Sequence, residues 1–277
     1  MVLLIQCEDQ KGLVAKITAI LLHHDYNIVS LREYVDQEKN RFYARFACQD
    51  NGTDFNAIAY NLKTVLPEGA LLTINPNPEK NIAVLVTKEH HCLSDILIRH
   101  HFKTFQAQVV CVIGNHPDLK DLCDKFSVPF FFISTDKKTK EEFEQELIAK
   151  IDSYSVDYIV LAKFMRILSP VFVEKYPQKI INIHHSFLPA FIGANPYKRA
   201  FERGVKLIGA TAHFVTNDLD EGPIIAQQTL PVNHAFTIQD TVNTGREIES
   251  AVLAKALNLI FQDKVFVYQN KTIVFDN

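Results

Sequence analysis

Apolar and polar positions along the first 75 residues predict six short elements. Runs at 2–7, 27–35, 41–48 and 70–74 read as strands, and 12–24 and 55–66 as amphipathic helices, with Leu13, Ile17, Ile20 and Leu21 on one face. A polar turn at 36–40 parts the second strand from the third. The order is βαββαβ. Asn75-Pro76-Asn77-Pro78-Glu79-Lys80 then breaks every pattern, which predicts a first domain at 1–75, a linker at 76–80 and a second domain at 81–277.

From 81 the period changes. Short apolar runs at 82–87, 109–113, 130–133, 158–161 and 180–183 read as buried strands, with helical stretches between most of them, notably 140–154. Two β-rich runs follow at 207–215 and 224–232, then a long helix at 237–261 and short strands at 265–268 and 272–275. Strands alternating with helices imply a mostly parallel sheet covered on both faces. The expected class is α/β: an N-terminal ferredoxin-like βαββαβ domain plus a Rossmann-like, mostly parallel α/β domain.

Composition narrows the choices. Of 277 residues, 47% are hydrophobic and 22% charged, an ordinary globular mix, and the net charge of −3 favours neither a nucleic acid nor an anionic membrane as partner. Nine glycines stand where average usage gives roughly nineteen, and neither a G-x-G-x-x-G nor a Walker loop occurs. Five cysteines without a C-x-x-C, and no leader-like stretch at the start, point to a reduced, cytoplasmic chain. No apolar run reaches the ~18 residues a spanning helix needs.

The densest polar chemistry lies in 180–189, Ile-Ile-Asn-Ile-His-His-Ser-Phe-Leu-Pro. A buried strand runs into it, so Asn182 and His184 fall at the carboxyl end of a strand, where open α/β sheets bind ligands. Two residues apart, they point to one face, and an amide beside an imidazole suits a developing oxyanion. A second strand, 209–215, carries His213 into the acidic turn Asp218-Leu219-Asp220-Glu221-Gly222-Pro223. Asp220 can hold an imidazolium charged or act as a general base. His90-His91-Cys92 has no metal-ligand spacing around it, so no metal is expected. His23, His24, His100 and His101 read as solvated helix residues, His185 as packing behind the site, and Cys111 and Cys123 as core.

Asn182-Ile183-His184-His185-Ser186-Phe187-Leu188-Pro189, with Gly209-x-Thr211-x-His213-x-Val215 and Asp220-x-Gly222-Pro223-Ile224-Ile225-x-Gln227, resembles the formyltransferase family that uses 10-formyltetrahydrofolate. Phe187 stands where that family more often has leucine. Met165, Arg166, Ile167 and Leu168 resemble its segment beside the folate. Asp9-Gln10-Lys11-Gly12 through Ile17, then His24-x-x-Asn27-Ile28-Val29, resembles an ACT domain, with Glu8 in place of the usual proline. The two in this order resemble the formyltetrahydrofolate deformylase family, over nearly the whole chain.

The resemblance implies a folate substrate, no cofactor, pairing of ACT units into a dimer or tetramer, and an amino-acid effector whose identity the residues do not give. It implies Asn182, His184 and Asp220 as catalytic residues, with Met165, Arg166, Ile167, Leu168 and His213 about the substrate. In related transformylases a glycine-rich loop after the first strand holds a substrate phosphate. Here 87–94 has no glycine and carries Glu89, which removes the amides a phosphate needs. Water is then the expected acceptor. Hydrolysis would give formate and tetrahydrofolate, supplying formate for purine biosynthesis and balancing one-carbon folate pools. Two readings stand beside it: formyl transfer to a small amine, and an amino-acid sensor with an inactive second domain.

Overall fold

The computed structural model describes residues 1–49, 55–76, 79–190 and 196–276, which divide into two units. In the N-terminal unit the elements are β1 (Val2–Glu8), α1 (Leu13–His23), β2 (Ile28–Asp36), β3 (Arg41–Cys48), α2 (Phe55–Val65) and β4 (Leu71–Asn75). They form an antiparallel sheet in the order β2-β3-β1-β4. Alternate residues of β1 (Leu3, Ile5, Cys7) meet Leu13, Ile17 and Leu21 of α1 and Ile58 and Leu62 of α2 in one core. The predicted βαββαβ order stands, with ends moved by one or two residues.

The second unit starts at Glu79, before the predicted 81, and Lys80 opens its first strand, β5 (Lys80–Val86). Of the expected linker, residues 77 and 78 lie outside the described residues. There follow α3 (His91–His101), β6 (Ala107–Gly114), α4 (Lys120–Lys125), β7 (Phe130–Phe132), α5 (Lys140–Asp152), β8 (Tyr158–Leu161), α6 (Pro170–Lys175), β9 (Ile180–His184), α7 (Pro196–Arg203), β10 (Leu207–Phe214), β11 (Ile224–Pro231) and α8 (Ile238–Phe261). The sheet order is β11-β10-β9-β8-β5-β6-β7. Strands β5 to β9 pair in parallel, whereas β10 is antiparallel to both neighbours.

Chain order reverses between β5 and β8, and open sheets bind ligands beyond the carboxyl ends of their strands at such a switch point. The segment after β8 is pinned across that gap. Met165 donates its N–H to Thr87 Oγ1 at 2.9 Å. Further on, Ser169 caps α6, with Pro170 at its first turn. Its N–H also donates to the buried Glu144 at 2.8 Å.

Strands β12 (Val265–Tyr268) and β13 (Lys271–Val274) form a two-stranded sheet. Residues Gln262–Phe266 and 273–276 group with the N-terminal unit, and Val267–Thr272 with the second, whereas the sequence pattern assigns all of 81–277 to one domain. Among the described residues, no helix is long and apolar enough to cross a membrane.

Candidate active site

Antiparallel pairing sets Asn182 of β9 opposite His213 of β10, and His184 opposite Thr211. Opposed residues of such a pair share a face, so two segments about thirty positions apart deliver four polar side chains to one row. Asn182 Nδ2 lies 3.2 Å from His213 Nε2. His213 Nδ1 is 2.8 Å from the Phe214 carbonyl, which can only accept, so that nitrogen carries a hydrogen.

Asp220 completes the row from the turn after β10. Its Oδ1 lies 3.2 Å from His184 Nδ1 and 3.7 Å from His213 Nε2. A carboxylate accepts, so His184 Nδ1 donates to it. His184 Nε2 is buried and has no partner among the described residues. Burial pushes the Asp220 carboxyl upward, but hydrogen bonds and charge from His184 and His213 outweigh it and hold it well below the usual carboxylate range.

The turn explains the Asp-x-Gly-Pro spacing. A Cβ on Gly222 would sit 1.8 Å from the Phe214 carbonyl oxygen, so only glycine allows the chain to double back this closely. Phe214 N–H then bonds the Pro223 carbonyl at 2.9 Å. On the other side, buried Thr211 receives the Leu188 N–H at 3.0 Å and the Gln227 amide at 2.9 Å, and donates to the Ser186 carbonyl at 2.9 Å. This fixes the chain just past His184.

A pocket of about 290 Å³ opens over these groups. Its walls include Asn182, His184, His213 and Asp220 and the segment Met165, Arg166, Ile167, Leu168, so every expected site residue meets in one place. Met165 and Ile167 are 57% and 62% exposed and form an apolar lip.

The pattern missed a second buried cluster. Glu249 lies inside the apolar face of α8 among Gly245, Ile248, Val252 and Leu253 and is 1% exposed. It is bound by His91 Nε2 at 2.7 Å, Lys163 Nζ at 3.0 Å and Tyr197 OH at 2.7 Å. Burial would raise its carboxyl, yet His91, Lys163 and Tyr197 bring it down to about 2. The available signal was a lone acid in a hydrophobic stripe.

His91, Cys92 and Glu249 bring ligand atoms within 4.8 Å of one another. The donor set suits a metal poorly. Burial pushes the Cys92 thiol far up, away from the thiolate a metal needs, and the Lys163 ammonium already neutralises the carboxylate.

The other histidines divide. His185 does not lie behind the site as expected but lines the pocket, its ring tilted 5.0 Å from that of His184, and burial, then the Lys163 charge, push it down to about 4. His23 and His101 are exposed. His24 and His100 are not simply solvated as expected: His24 Nε2 lies 2.9 Å from Asn61, and His100 Nδ1 accepts the Val109 N–H at 3.3 Å. Cys111 and Cys123 are fully buried, and burial raises both thiols to about 12.

The Formyl transferase family model matches residues 80–257, and the ACT domain model matches residues 1–58. The formyltetrahydrofolate deformylase of Escherichia coli is 47% identical over 268 residues, 97% of this chain and 95% of that protein. That of Bacillus subtilis is 43% identical, covering 99% of this chain and 93% of that one. The crystal structure of a formyltetrahydrofolate deformylase from Pseudomonas syringae superposes with a TM-score of 0.93 at 36% identity, over 99% of this chain and 93% of that one.

Proposed function

The chain belongs to the formyltetrahydrofolate deformylase family, and on that premise we propose that it hydrolyses 10-formyltetrahydrofolate at Asn182, His184 and Asp220. The observation that carries the assignment of roles is the state of His184, which lines the pocket with Asn182: Nδ1 is held by Asp220, while Nε2 is buried and has no partner among the described residues. That is a donor set aimed at an oxygen that becomes negative.

In this reading the pterin lies against Met165, Arg166, Ile167 and Leu168, with the formyl oxygen between the Asn182 amide and His184 Nε2–H. His213 supports the row by holding the Asn182 amide. Water attacks the formyl carbon, a C–O bond forms, and the C–N bond to the folate breaks. The folate nitrogen leaves with one proton of the water, and formate leaves as an anion with release of the other. A carboxyl held as low as that of Asp220 is a weak base, which favours its keeping His184 charged and orienting the water. No step calls for a cofactor. The names of the relatives do not favour transfer to a small amine. Supplying 10-formyltetrahydrofolate with no acceptor and following formate tests the reading: steady release supports it, and release only with an added amine overturns it.

We further propose that the chain works in the cytoplasm, supplying formate for purine biosynthesis and balancing one-carbon folate pools. The ACT unit supports assembly into a dimer or tetramer and an amino-acid effector. Formate release measured against each of the twenty amino acids, together with the solution mass, tests both.

A further inference from the structure

Lys163 belongs to both buried clusters. It lies just past β8, which ends at Leu161, and lines the pocket with Asn182, His184, His185 and Asp220, whereas Glu249 is not part of the pocket wall. Its side chain is 10% exposed and that of Glu249 1%, so the pair is buried and Lys163 is its member in the pocket wall. The backbone of Lys163 is left-handed, at φ +62°, an uncommon state for a long side chain that the tie to Glu249 helps to hold.

Glu249 is itself fixed. His91 and Tyr197 bind it from two sides, and the Tyr197 ring packs so close to α8 that a Cβ on Gly245 would approach it to 2.2 Å. The result is a cation held by a fixed carboxylate, on a residue of the same pocket wall as His184, whose Nε2 has no partner among the described residues. An ammonium carries three donors, and the ion pair uses only part of that capacity.

We infer that Lys163, the member of the Glu249 ion pair that lines the pocket, is a specificity-determining residue whose ammonium donors select for the formate anion and against a cationic amine acceptor. This rests on the hydrolase reading above and deepens it. A like charge placed within a partly dry pocket repels an incoming ammonium and attracts a carboxylate, and both effects exceed what they would be in water. The charge is present before substrate arrives, so no reorganisation accompanies the appearance of the anion.

The test uses the full chain and sodium formate as the probe. Formate inhibition of 10-formyltetrahydrofolate hydrolysis is compared between the unaltered chain, Lys163→Met and Lys163→Arg. The inhibition constant of formate should rise about tenfold or more in Lys163→Met, a loss of about one charge-assisted contact. The KM for the folate should change less than about threefold, and Lys163→Arg should restore formate inhibition. A merely structural role would move both constants together, and that outcome, or an unchanged formate constant, overturns the inference. If Lys163→Met does not fold because Glu249 is left buried and unpaired, the double variant Lys163→Met with Glu249→Gln removes both charges and is read by the same criterion. Acceptor-free formate release by the unaltered chain separately tests the hydrolase reading.

Discussion

Replacing Asp220 by Asn keeps the shape of the side chain and its tolerance of left-handed backbone while removing the charge that faces His184. The size of the effect follows from the 3.2 Å contact. At an effective dielectric of about 20, two unit charges at that separation attract by about 5 kcal/mol. The neutral amide keeps a weaker hydrogen bond, which leaves about 3–5 kcal/mol withdrawn from a charged His184. If that charge is needed only as the formyl oxygen becomes negative, the loss falls on kcat, by about 10²- to 10⁴-fold. Tetrahydrofolate binding should stay within a fewfold, because the pterin meets Met165 to Leu168 and not the carboxylate. Formate release at saturating substrate gives kcat, and calorimetric titration with tetrahydrofolate gives affinity. A variant that binds normally and keeps kcat within about tenfold would refute the coupling between Asp220 and His184.

Gly222→Ala should destabilise the second unit by about 1–3 kcal/mol and lower kcat with it, since the added methyl must displace the Phe214 carbonyl and the turn that carries Asp220; thermal unfolding and formate release check this. Glu249, with an ordinary value of 4.5, is held at about 2, so its contribution is complete above about pH 4.5 and disappears as pH falls toward 2. It amounts to about 3 kcal/mol on that shift, and Glu249→Gln should flatten the fall in urea midpoint between pH 5 and pH 3. Ile167→Asp should raise the KM for the folate with little change in stability, because the side chain is 62% exposed on the apolar lip; equal KM values in the two proteins would remove this segment from the binding surface.

What the sequence revealed depended on whether a residue's neighbours in space are also its neighbours in the chain. The helix over α1 was readable because Leu13, Ile17 and Leu21 recur at helical spacing, and all three are buried. Asn182 and His184 were readable because two-residue spacing on a strand fixes a common face. His213 and Asp220 were legible as a second polar cluster, but only motif resemblance set them in the same site, since nothing local shows that β10 runs antiparallel to β9 and lies beside it. Glu249, His91, Lys163 and Tyr197 escaped for the same reason: four residues on four separate segments converge through tertiary packing alone. His100 went astray because the backbone amide it accepts belongs to β6, on the far side of a turn. The C-terminal strands were placed along the chain nearly correctly, but periodicity carries no information about which unit they join.

Asp220 has its backbone at φ +58°. Among residues with side chains, asparagine and aspartate tolerate that conformation best, and glycine adopts it freely. Glycine brings no carboxylate and asparagine cannot ionise, while glutamate, the other acid, lacks the short stem that suits the left-handed state. Backbone and chemistry thus act as two independent filters whose overlap is a single residue type. Position 220 has no conservative neighbour in mutational space. A descendant of this chain that abandons hydrolysis while keeping its fold would be expected to drift there first, toward asparagine or glycine, because the backbone accepts both and only the reaction forbids them.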